Sequence, residues 1–129
     1  MELNYLIDTN VVIDFFKGKL PPNAMSFLSE LVNSKVNISV ISKIELLGFP
    51  NSSKNELTLL TEFCDEAKIF SLDDFIIKET IRLRQKHKIR LPDSIIAATA
   101  LTHEFSLITH NINDFKNIPN LTVLDSHKL

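Results

Sequence analysis

Short runs of branched apolar residues recur along the chain, separated by longer stretches whose apolar positions return every three or four residues. The short runs, at residues 3–7, 36–40, 68–70, 106–109 and 121–124, have the length and the Val/Ile/Leu content of buried parallel strands. The longer stretches predict helices. Residues 9–17 set Val12, Phe15 and Phe16 on one side, and Gly18 stops them. Pro21-Pro22-Asn23 opens a second helix with Met25, Phe27, Leu28, Leu31 and Val32. Asn51-Ser52-Ser53 opens another with Leu57, Leu59, Leu60 and Phe63. Asp73 or Asp74 caps a helix that runs to about Lys86, and Pro92 marks the first turn of an Ala-rich helix through Ile95, Ile96, Ala97, Ala98, Ala100 and Leu101. Strand and helix alternate without a linker or an internal repeat. That pattern predicts one α/β domain over residues 1–129, a three-layer α/β/α sandwich with right-handed crossovers.

Onto this alternation fall four carboxylates, each where an apolar segment meets a turn or a helix start. Asp8 follows Leu6-Ile7, Glu45 comes just after the second run, Asp93 stands behind Pro92, and Asp114 lies past Leu107-Ile108-Thr109. Taken singly, each has a structural explanation. Asp8 caps a helix, Glu45 closes a capping box with Ser42, Asp93 suits a helix dipole, and Asp114 forms a turn. Taken together they point to one place, because groups beyond the carboxyl ends of parallel strands converge on one crevice. Acids gathered there repel one another unless a divalent cation neutralises them. Thr9, Asn10, Thr109 and Asn111 are uncharged groups suited to holding those carboxylates or the waters of an ion. An all-oxygen donor set favours Mg²⁺ or Mn²⁺ over Zn²⁺, and such ions support phosphoryl chemistry.

Composition narrows the field further. The chain has 129 residues, 44% hydrophobic and 23% charged, with a net charge of −2, which fits a globular protein and not a nucleic-acid coat. Two glycines, Gly18 and Gly48, leave no Gly-rich dinucleotide or Walker loop. Cys64 is the single cysteine, excluding internal disulfides and thiolate zinc clusters and suiting a reducing cytosol. No basic leader precedes the first strand, and no run is long enough to cross a bilayer, so a cytoplasmic location is expected. Positive charge concentrates in Lys78, Arg82, Arg84, Lys86, Lys88 and Arg90. Arg82 to Arg90 are candidates to grip a phosphate backbone, against the plainer reading of a solvated helix face. The histidines show no pair at ligand spacing along the chain; His110, inside the last acidic turn, is a candidate substrate contact.

Leu6-Ile7-Asp8-Thr9-Asn10, Leu91-Pro92-Asp93-Ser94-Ile95-Ile96-Ala97-Ala98-Thr99-Ala100 and Thr109-His110-Asn111-Ile112-Asn113-Asp114-Phe115 resemble, in order and spacing, the motifs of the PIN-domain family. Within it they are similar to the VapC-type toxins of bacterial and archaeal toxin–antitoxin pairs. The resemblance implies a five-stranded, mainly parallel sheet flanked by helices and a metal-dependent endoribonuclease with Asp8, Glu45, Asp93 and Asp114 as its acidic site. It also implies a homodimer, with Phe15, Phe16 and Phe49 as candidate interface residues, and an antitoxin whose tail enters the groove. Many relatives carry Arg where His110 stands, a departure that bears on substrate contact. A PIN-type nuclease of RNA processing, or a protein that binds RNA or antitoxin without turnover, are the alternatives.

Overall fold

The computed structural model describes residues 4–50 and 52–129; Leu3 of the first expected strand and Asn51 of the expected helix start lie outside them. Five strands, β1 (Tyr5–Ile7), β2 (Asn37–Ser39), β3 (Lys68–Phe70), β4 (Ser106–Thr109) and β5 (Val123–Asp125), form one sheet in the order β3-β2-β1-β4-β5. Every pairing is parallel, with Leu6 beside Leu107 and Asn37, Ile38 beside Ile69, and Thr109 beside Asp125. The expectation of a mainly parallel sheet thus becomes an all-parallel one.

Side chains alternate across the strands, so each strand feeds two cores. Ile7, Ile38 and Ile108 enter one core with Val11 and Val12 of α1 (Thr9–Phe16), Leu28 of α2 (Pro22–Ser34), and Leu60 and Phe63 of α4 (Lys54–Glu66). Leu6 and Leu107 enter the other with Ile76 and Leu83 of α5 (Asp74–Lys86) and Ile95, Ile96, Ala97, Ala98 and Ala100 of α6 (Leu91–His103). Helices cover both faces, giving the three layers.

Between β2 and α4 lies α3 (Val40–Leu47), where the sequence reading ran the strand on to Val40. Ser39 is its N-cap, its hydroxyl accepting from the Ile41 N–H at 3.1 Å. The capping box expected between Ser42 and Glu45 is therefore absent: Ser42 is already inside the helix and buried. A cap needs extended backbone, and the chain has that at Ser39 (ψ 152°). The last strand starts two residues later than expected because Asn120 sits in the left-handed region (φ 69°) and Leu121 still closes a turn on the Ile118 carbonyl.

The chain begins in the middle of the sheet, moves outward through β2 and β3, then crosses back to place β4 on the other flank of β1. The reversal opens a crevice beyond the carboxyl ends of β1 and β4.

Candidate active site

Asp8 stands at that reversal. It ends β1, caps α1 and is 4% exposed. Its Oδ1 accepts from the Thr9 N–H at 2.8 Å, while Oδ2 accepts from the Asn10 amide at 3.0 Å and the Thr109 hydroxyl at 2.8 Å. Thr109 comes from the neighbouring strand, and its oxygen in turn accepts from the Asn111 N–H at 3.0 Å. Asn10 closes the circuit, its carbonyl oxygen accepting from the His110 N–H at 3.2 Å. Thr9, Asn10, Thr109 and Asn111 thus act as one lattice that fixes a buried carboxylate and ties the end of β1 to the turn after β4.

Glu45 reaches this lattice from α3. The Thr9 hydroxyl lies 2.7 Å from Glu45 Oε1 and 2.9 Å from Ser42 Oγ. One hydroxyl carries one proton, so Thr9 donates to the carboxylate and takes its second bond from Ser42. Ser42 is the supporting residue that sequence reading missed; its signal was read as a cap instead. Asp93, in the first turn of α6, and Asp114, ending a 3-10 turn at Ile112–Asp114, stand beside Arg90, and Asp93 is near enough to Asp8 to act on its carboxyl. Arg90 bridges them, 3.2 Å from Asp93 Oδ2 and 4.0 Å from Asp114 Oδ2.

The charges feel one another. Burial, reinforced by Asp93 and Glu45, pushes the Asp8 carboxyl above its ordinary value against the hydrogen bonds from Thr109 and Thr9. A desolvated carboxylate crowded by two more acids is a place where a small divalent cation is favoured. The donors are hard oxygens, so the residues present fit Mg²⁺ or Mn²⁺.

The basic segment divides. Lys88 and Arg90 line a cleft of about 330 Å³ together with His87, Asp93, Asp114 and Asn117. Arg82 instead pairs with Glu79 on its own helix and faces another hollow with Phe75 and Gln85. Arg84 and Lys86 sit exposed in the last turn of α5, where they complement the helix dipole. His110 is half exposed, and the fold sets its ring against that of His127, centroids 3.8 Å apart and planes tilted by 31°. The chain spacing of these two histidines had given no hint of this pairing. Of the aromatics named for an interface, Phe15 packs against the core, while Phe16 and Phe49 are exposed.

Comparisons with known proteins identify the family and the fold. The PIN domain profile matches residues 5–121. Ribonuclease VapC1 of Rickettsia felis is 31% identical over 133 aligned residues, covering 95% of this chain and 96% of its own. Among solved structures, a toxin-antitoxin complex from Klebsiella pneumoniae superposes with a TM-score of 0.77 at 29% identity, covering 98% of this chain and 100% of that one. VapBC2 from Rickettsia felis, bound to a promoter DNA fragment, superposes with a TM-score of 0.74 at 27% identity, covering 95% and 98%. With its all-parallel sheet, its acids at the strand reversal and a profile match over nearly the whole chain, this protein belongs to the PIN-domain family.

Proposed function

We propose that this protein is an endoribonuclease that hydrolyses RNA phosphodiesters with the help of Mg²⁺ or Mn²⁺, and that it is the toxin of a toxin–antitoxin pair. The observation that carries the reading is Asp8, buried at the strand reversal and crowded by Glu45 and Asp93. The relatives named ribonuclease VapC and the toxin-antitoxin neighbours support it.

Asp8 and Asp93 would hold the ion directly, with Asp114 and Glu45 completing the charge set. When bound, such an ion acidifies water and offsets charge on phosphoryl oxygens. Glu45 is oriented by Thr9 so that one oxygen is engaged and the other is free to take a proton from the attacking water. Thr109 and Asn10 hold Asp8 Oδ2 and the Thr9 N–H holds Oδ1, so the carboxylate needs no reorganisation at the moment of reaction. Arg90, with a side chain 76% exposed, balances Asp93 and Asp114 and can turn outward to a phosphate oxygen as those acids take up a cation. Lys88 adds a second positive charge on the same wall.

A partner also finds a surface. Phe16 and Leu59 are exposed beside a groove of about 420 Å³ that Val32 and Phe63 line together with Lys35, Glu62, Glu66 and Lys68, a mixed apolar and charged surface suited to an antitoxin segment or a second copy. No helix among the described residues is long and apolar enough to cross a membrane.

The test is cleavage of a defined RNA panel by wild type and Asp8→Asn in EDTA, Mg²⁺ and Mn²⁺, with circular dichroism on both. Expected is cleavage by wild type only with metal, and a loss of at least about 100-fold in a folded Asp8→Asn protein. A folded variant that cleaves as fast as wild type overturns the assignment.

A further inference from the structure

A second cluster of ligand-type groups lies beside the turn that carries Asp114. The turn after β4 supplies His110, the end of β5 supplies Asp125, and the 3-10 turn at Ser126–Lys128 supplies His127. One ring nitrogen of each histidine and one carboxylate oxygen of Asp125 all lie within 4.8 Å of one another. Among the described residues, this is the only group of three such side chains that gathers so tightly. The four acids are more widely set.

We propose that His110, Asp125 and His127 form a site for a borderline divalent transition ion, Zn²⁺ foremost, with ligands other than the four acids. The spacing argues for it. His110 Nδ1 stands 3.4 Å from Asp125 Oδ1, long for a charge-assisted hydrogen bond. Two ligands each about 2.0–2.1 Å from a tetrahedral ion stand about 3.3 Å apart. The two imidazoles lie with ring centroids 3.8 Å apart and 31° between their planes, so both rings face the same small space beside Asp125. The donor set argues for it too. Imidazole nitrogen with one carboxylate selects Zn²⁺ over the Mg²⁺ that all-oxygen acids prefer.

The supporting hydrogen bonds are already made. Asp125 Oδ1 accepts from the His127 N–H at 3.0 Å, and the buried Ser126 hydroxyl lies 3.1 Å from His127 Nδ1. Where that nitrogen is the donor, Nε2 carries the lone pair that a metal requires. Register supplies the rest: Asp125 is the residue paired with Thr109, so strand pairing itself brings Asp125 beside His110. The cluster opens on a shallow hollow that Asn111 and Asp114 also line. A bound ion would clamp the edge strand to the turn that carries Asp114, bracing the catalytic wall from behind. Three protein ligands leave a fourth position for water.

The experiment titrates metal-stripped protein with Zn²⁺ alone, comparing wild type, His127→Ala and Asp93→Asn by equilibrium dialysis and thermal midpoint. Expected is one tight zinc and a raised midpoint in wild type and in Asp93→Asn. His127→Ala should lose more than the about 10–100-fold that removal of an outer-shell partner costs. Absence of zinc binding by wild type overturns the proposal. So does zinc that survives His127→Ala but is lost in Asp93→Asn, which would place the ion among the acids. A reading on wild type alone covers the case in which His127→Ala fails to fold. Of the four histidines, the ring-nitrogen resonances of His110 and His127 should move with zinc while those of His87 and His103 stay; any other pattern overturns the site.

Discussion

Asp8 carries a cost that the fold accepts for the sake of the site. Its carboxyl is raised above the ordinary 3.8, first by burial and then by Asp93 and Glu45. Between the ordinary and the raised value the folded chain keeps a proton that the unfolded chain has released. Stability from this group is therefore fully present below the unfolded value and is lost as pH rises through the folded one. In EDTA, the thermal midpoint of wild type relative to Asp8→Asn should fall over that window. Adding Mg²⁺ near neutral pH should raise the midpoint of wild type more than that of Asp8→Asn, because the variant lacks one of the two direct ligands. Parallel melts of the two proteins across pH, with and without Mg²⁺, check both signs.

At the scale of elements, two helix ends make the same turn from different residues. After α1 the Gly18 N–H bonds the Phe15 carbonyl and the Lys19 N–H bonds that of Asp14, with Gly18 at φ 65°. After α6 the Glu104 N–H bonds Leu101 and the Phe105 N–H bonds Ala100, with Glu104 at φ 57°. Both are Schellman ends, but only the first has the residue that adopts this backbone freely. Nothing lies within 4 Å of a Cβ built on Gly18, so Gly18→Ala should cost about 1 kcal/mol through backbone strain alone. Exposed Glu104→Gly should gain about 0.5–1 kcal/mol, the relief being partly offset by the freer unfolded chain. Chemical denaturation of the two variants should move in opposite directions. The pair also shows what the sequence could reveal. The α1 stop was legible because Gly18 announces it, and the α6 stop was not, since tertiary packing holds a glutamate where glycine is usual. Likewise Ser42 mimicked a cap so well that the true cap, Ser39, was read as strand.

Over the whole molecule, the positions of Asp8, Asp93 and Asp114 at the ends of elements were legible from the change of periodicity, whereas Glu45 proves to lie inside α3 and not at its start. Strand order was not legible, since periodicity says which face a residue takes and nothing about which strand it lies beside. The pairing of His110 with His127 was hidden for that reason: it depends on β5 lying beside β4. The basic segment was read as one strip, yet the end of α5 splits it, leaving Lys88 beside the acids and Arg82 locked to Glu79 elsewhere. RNA binding should therefore distinguish them. Lys88→Ala should weaken binding and reduce the slope of log affinity against log salt by about 0.7–1, while Arg82→Ala should leave that slope unchanged. Titrations at several salt concentrations give both numbers.

The hydrogen bond from Thr109 to Asp8 joins residues 101 positions apart, and β1 waits in the centre of the sheet for β4 to arrive at its side. Such long-range closure slows folding. It also means that no early portion of the polypeptide contains a working centre. A chain still being synthesised, or one broken off before Ser106, should be inert towards RNA, and a purified 1–105 fragment should show no cleavage. For a protein that cuts the same class of molecule from which it is translated, the order of its strands is a safeguard: the cell meets the activity only after β4 and the turn that carries Asp114 are in place.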